Sequence, residues 1–135
     1  FIPMLMDTSG NAGTQTSVSI IRAMSLGDVH VQLKDYFKVV FKEFRVAILC
    51  GLSLAFCNFF KVLWIDGVSW KISLVVNITL VFTVMIAKLV GCTLPILAKK
   101  VHLDPAVMAA PLLTTIVDAL SLMVYFRIAT YLLHL

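Results

Sequence analysis

Long apolar runs separated by short polar intervals dominate the chain. Residues 46–65 form one such run, and about 20 helical residues rise roughly 30 Å, enough to cross the hydrocarbon of a bilayer. Residues 71–98 form a second and residues 105–133 a third, so each predicts a membrane helix. Trp64 and Trp70 bracket Asp66-Gly67, which predicts a tight outer turn between two aromatic anchors at headgroup level. Within the second run, Pro95 cannot donate to the carbonyl of Gly91, and the pair predicts a locally opened helix. Asp104-Pro105 opens the third with an N-cap residue and a proline at the first helical position, while Pro111 suggests a bend further on.

Two stretches break this pattern. Residues 1–26 begin apolar, pass through the polar run DTSGNAGTQTS (residues 7–17), and recover helical apolar spacing at Val18, Ile21 and Met24. So polar a segment at membrane depth cannot face lipid, which predicts the end of a helix lining a cavity or an interface. Gly10 and Gly13 permit close helix contact or local unwinding, and Asp7, Thr8, Asn11, Thr14 and Gln15 offer oxygens. A plain packing seam of small residues is the competing reading. In residues 27–45, Val29, Leu33, Phe37, Val40, Phe41 and Phe44 recur at helical spacing opposite Lys34, Lys38, Lys42 and Arg45. That is an amphipathic segment, either lying at the cytoplasmic surface or extending the next span.

Composition agrees with an all-α fold, a polytopic membrane helix bundle of one domain. The 135 residues are 61% hydrophobic and 13% charged, whereas soluble domains are about 45–50% apolar and about 25% charged. Polar faces in such a chain must be buried against one another or against a second copy. The net charge of +4 is concentrated in Lys34, Lys38, Lys42 and Arg45 and in Lys99 and Lys100. Both segments are therefore expected to be cytoplasmic, in a multi-pass protein of the inner (plasma) membrane. Basic residues that flank spans do not make a nucleic-acid surface. Cys50, Cys57 and Cys92 lie in apolar runs, and with His30, His102 and His134 they form no zinc spacing. Nothing points to catalytic residues or a bound cofactor, so the chain is not expected to be an enzyme. The apolar start at Phe1 leads us to expect further chain upstream.

Two charges stand inside the apolar runs. Lys88 lies about 16 Å along its helix from Lys99; snorkelling to the cytoplasmic interface is the favoured reading, and pairing with a carboxylate such as Glu43 is the competitor. Asp118 lies about 21 Å from the cap at Asp104. A carboxylate at that depth costs a few kcal/mol or more on insertion scales and normally faces protein or water. At about 100° per residue, Ala110, Thr114, Asp118, Ser121 and Tyr125 share one stripe. Arg127, half a turn out of phase, cannot pair with Asp118 on the same helix. A neutralised structural carboxylate is one reading of Asp118, and a cation site is the other. Two such carboxylates meeting across a two-fold axis would make an acidic ring. Oxygen ligands favour a hard cation, and Mg²⁺ sheds its waters reluctantly, yet these residues alone leave Mg²⁺, Ca²⁺, Mn²⁺ and a proton open.

The segments FIPMLMDTSGNAGTQ, VVFKEFRVAILCGL, KLVGCTLPILAKK and DPAVMAAPLLTTIVDALSLMVYF together resemble the membrane domain of the MgtE family of magnesium channels and transporters, from its second to its fifth membrane helix. The resemblance implies a homodimer of five-helix subunits with a central Mg²⁺-selective pore, in which Asp118 binds the hydrated ion. It implies further pore contacts at Gly10, Asn11, Gly13, Thr14, Thr114 and Ala110, and a secondary one at Asp7. Ser9 stands where the family commonly has glycine, and Thr14 where it commonly has asparagine or serine. The family's first membrane helix and its cytoplasmic Mg²⁺-sensing domains, including a CBS module, are absent from this sequence. The function implied is a passive channel moving hydrated Mg²⁺ down its gradient; the alternative is a secondary divalent-cation transporter or exchanger coupled to protons or Na⁺.

Overall fold

The computed structural model describes residues 1–133, apart from the side chains of Met108 and Ala109. Four helices make up the described chain: α1 (Ile2–Ser25), α2 (Leu33–Trp64), α3 (Trp70–Lys100) and α4 (Pro105–Leu133). By length and composition, α2, α3 and residues 110–133 of α4 can each cross a membrane. Helix α1 is excluded from that set by its polar run, although about 24 residues suffice in length.

The amphipathic stretch and the span that follows it are one continuous helix, α2. Its 32 residues rise about 48 Å, some 18 Å more than the hydrocarbon core requires. Helix ends carry the signals that the sequence supplies. The Asp104 carboxylate accepts the Ala106 N–H at 2.9 Å, capping α4. Beyond α1, Gly27 takes φ +82°, and the Asp28 N–H reaches back to the Ala23 carbonyl at 3.0 Å. After α3 the same motif recurs with His102 at φ 59° and the Leu103 N–H on the Ala98 carbonyl at 2.9 Å. Such a C-terminal turn normally takes glycine, so His102 stands there under backbone strain.

Helix α3 is the centre of the bundle and packs against the other three. It contributes to every apolar cluster: Val76, Leu80 and Val84 with Leu5 of α1; Cys92 and Ile96 with Ile20 and Met24 of α1; and Ala87 with Leu113 and Val117 of α4. Helix α1 lies across α3 at two glycines. A Cβ on Gly91 would stand 2.3 Å from the Gly13 carbonyl oxygen, and one on Gly13 would stand 3.0 Å from that of Ala87. This revises the reading of Gly91. Its missing side chain admits the α1 backbone, while α3 stays helical through Gly91 and the buried Pro95. Local unwinding at Gly10 and Gly13 is likewise not seen, because α1 is helical throughout.

The snorkelling of Lys88 is also overturned. The Lys88 ammonium donates to the Thr16 hydroxyl at 3.0 Å and to the Glu43 carboxylate at 3.2 Å, and Thr16 donates to the same carboxylate oxygen at 3.2 Å. All three residues are buried. Lys88 sits on the central helix, where neighbouring helices on either side supply its partners.

Candidate cation site on the α1–α4 edge

Helices α1 and α4 meet at two levels. Towards the start of α1, the Ser9 and Ser121 hydroxyls lie 3.0 Å apart, both buried. Further along, Gly13 comes against Leu113. Asp118 lies between these levels on α4. Its side chain is half-buried, and it belongs to none of the ion pairs among the described residues. Arg127 is exposed and is not its partner.

The stripe that carries Asp118 changes environment along its length. Ser121 is buried against α1 and Tyr125 packs on the Leu5 cluster, whereas Thr114 and Ala110 are exposed. Covered at one end and open at the other, the stripe leaves Asp118 at the boundary. Thr114 donates its hydroxyl hydrogen to the Ala110 or Pro111 carbonyl, at 3.3 and 3.1 Å.

On α1, Asp7, Asn11 and Gln15 repeat at four-residue spacing along an exposed edge, with Gly10 and Thr14 half-buried beside them. Asn11 donates to the Asp7 carboxylate at 3.3 Å, and Thr14 donates to the Gly10 carbonyl at 2.8 Å. A hydroxyl whose hydrogen is committed to its own helix keeps its lone pairs for a donor, such as a water on a hydrated cation. Gly13 differs from its neighbours because it is buried in the α1–α3 contact. Below this level a groove of about 310 Å³ runs between the helices, lined by Thr14, Ser17 and Arg22 of α1 and by Ala106 and Ala110 of α4.

Of the eight residues singled out in the sequence, Thr14 and Ala110 line one α1–α4 groove, Gly13 is buried behind it, Asp7, Gly10 and Asn11 lie on the same helix as Thr14, and Thr114 and Asp118 on the same helix as Ala110. No cluster of three or more His, Cys, Asp or Glu side chains occurs among the described residues. Sequence reading missed the Ser9–Ser121 contact. The i+3 step from Asp118 to Ser121 had placed that serine on the stripe, but nothing in one chain's spacing pairs two serines 112 residues apart.

A family model described as MgtE, a divalent cation transporter, matches residues 2–128. The chain belongs to the MgtE family. It is 39% identical over 134 residues to the magnesium transporter MgtE of Thermus thermophilus, an overlap covering 99% of this chain and 29% of that protein. The Bacillus subtilis magnesium transporter MgtE is 35% identical over 138 residues, again 99% of this chain and 29% of the relative. The Enterococcus faecalis protein of the same name is 29% identical over 134 residues, covering 96% and 28%. The chain therefore spans less than a third of the length of these MgtE relatives. With its apolar helices, family membership makes it a multi-pass membrane protein.

Proposed function

We propose that this chain is the ion-conducting part of a Mg²⁺-selective channel, in which two copies bring their α1–α4 edges together at a two-fold axis and hydrated Mg²⁺ passes between them. The observation that carries this reading is Asp118: half-buried, outside every described ion pair, and set in an apolar helix packed against α1, which carries an exposed polar edge of its own. Such an edge is costly against lipid. A second copy covers it and supplies a second carboxylate.

Transport of Mg²⁺ is the activity named for the relatives, and the donor set supports it chemically. Mg²⁺ gives up its inner waters reluctantly, so outer-sphere recognition suits it. Two Asp118 carboxylates would accept hydrogen bonds from its waters and balance its charge. The Asn11 side-chain oxygen and the Thr14 and Thr114 hydroxyl oxygens would add further acceptors. Asp7, tied to Asn11, would act at one remove. On this reading Mg²⁺ is cargo and the chain performs transport, not catalysis.

Reconstitution in liposomes tests the reading. Mg²⁺ flux should follow the Mg²⁺ gradient with no proton or Na⁺ gradient imposed, and Thr114→Cys, in a background without the native cysteines, should cross-link two copies. Strict dependence of flux on a second ion would replace the channel by a coupled carrier. Failure of Thr114→Cys to cross-link, with the native Cys50 or Cys57 of α2 cross-linking two copies in the unmodified protein, would remove the pore from this edge.

A further inference from the structure

The first three turns of α2 carry a pattern that ion conduction does not use. Apolar and basic residues occur there as adjacent pairs, Leu33-Lys34, Phe37-Lys38, Phe41-Lys42 and Phe44-Arg45, stepped by four, four and three. At about 100° per residue, the apolar members fill an arc of roughly 80° and the basic members fill the next arc of roughly 80°. Two parallel stripes result, one apolar and one cationic. Both are exposed: Leu33 is 75% accessible and Phe37 and Phe41 are 64% each, and all four basic residues are exposed as well.

The opposite side of these turns faces the protein. Val39, Val40 and Tyr36 pack on the Ile20–Cys92 cluster, and Tyr36 hydrogen-bonds Thr93 of α3 at 3.1 Å. Of the two acidic residues of α2, Glu43 lies on the inward side and Asp35 borders the cationic stripe, and each has a partner of its own. Asp35 accepts from the backbone and imidazole of His30, at 3.0 and 3.3 Å, and Glu43 is buried with Lys88. Asp28 in the α1–α2 connection and Asp104 at the α4 cap are the other carboxylates at this end, and Asp104 is committed to its cap. The end of α3 adds Lys99 and Lys100, both exposed, and Lys100 lines an apolar groove with Leu33, Tyr36 and Ile96.

The length of α2 sets the depth of this surface. A helix about 18 Å longer than the hydrocarbon core, anchored at its far end by Trp64, carries its first three turns at the headgroup layer. Phenylalanines there can enter the acyl boundary, while lysines beside them reach phosphate. We propose that the Leu33–Arg45 face of α2 binds anionic phospholipid headgroups, with the Leu33, Phe37, Phe41 and Phe44 stripe set against their acyl chains. Charge complementarity selects this occupant: four basic side chains stand in line, the one carboxylate that borders them, Asp35, is engaged by His30, and apolar side chains lie along their whole length. A zwitterionic lipid satisfies the apolar stripe but leaves the cationic one unbalanced.

The test is lipid selectivity of the intact protein in nanodiscs of phosphatidylglycerol and phosphatidylcholine, read by native mass spectrometry of the retained lipids. The wild type should retain phosphatidylglycerol preferentially. Combined replacement of Lys34, Lys38, Lys42 and Arg45 by glutamine should abolish that preference, each single replacement lowering it by up to roughly fivefold, the effect of one basic side chain at an anionic bilayer surface. Lys61→Gln, at the other end of α2, should leave it unchanged. A wild type without preference overturns the proposal. So does a quadruple variant, folded by circular dichroism, that keeps the full preference, whether because Lys99 and Lys100 hold the lipid or because another part of the polypeptide covers this face.

Discussion

Lys88 and Asp118 are both charges set within apolar helices, and the bundle treats them in opposite ways. Lys88 lies on α3, the helix enclosed by all the others, and it is buried with Glu43 of α2 and Thr16 of α1 in contact. Asp118 lies on α4 at the margin of its contact with α1, half-buried and outside every described ion pair. A charge on the central helix has partners on neighbouring elements, and satisfying it fastens those elements together. A charge at the margin keeps its acceptor capacity for something outside the chain. The first therefore belongs to stability, and the second is the one we propose for transport.

Breaking the Lys88 contact should have the largest effect on folding. Glu43→Gln leaves the ammonium without its counter-charge and should cost about 3–5 kcal/mol in thermal or denaturant unfolding in detergent. The double variant Glu43→Gln/Lys88→Met should recover most of that loss, because the penalty comes from the stranded charge. Equal destabilisation in single and double variants would remove the ion pair from the account.

The glycine crossing that brings α1 beside the Lys88 triad comes next. Gly91→Ala places a methyl against the Gly13 carbonyl and should destabilise by about 1–3 kcal/mol through overpacking. Gly10→Ala meets nothing within 4 Å and should not destabilise the protein. A smaller effect belongs to His102, whose positive φ favours glycine; His102→Gly should stabilise by up to about 1 kcal/mol. The smallest effect sharpens the contrast most. Asp118→Asn should change stability by less than about 0.5 kcal/mol, as substitutions away from packed or paired features do. A loss as large as that of Glu43→Gln would make Asp118 a structural residue.

Much of the architecture is legible in the sequence because membrane helices announce themselves by length and apolar continuity, and Asp104-Pro105 and Asp66-Gly67 mark where they stop. The cost of an intramembrane carboxylate likewise makes Asp118 stand out without any structure. Lys88 is less legible. Both snorkelling and pairing fit its distance from the helix end, and the choice depends on which helix lies centrally, a property of the assembled bundle. Local chemistry ascribes Gly91 to the proline four residues on, whereas the decisive contact comes from Gly13 on another helix. Ser9 and Ser121 pair for the same non-local reason. Periodicity assigns residues to faces, and only packing says which faces meet.

Mg²⁺ uptake into liposomes, driven by a Mg²⁺ gradient alone and compared among the wild type, Asp118→Asn and Asp118→Ala at matched folding and reconstitution, tests the transport role most directly. Loss of most of the flux in both variants, with unfolding of Asp118→Asn unchanged, is the predicted result. Undiminished flux in both would contradict the assignment of the α1–α4 edge as the ion path.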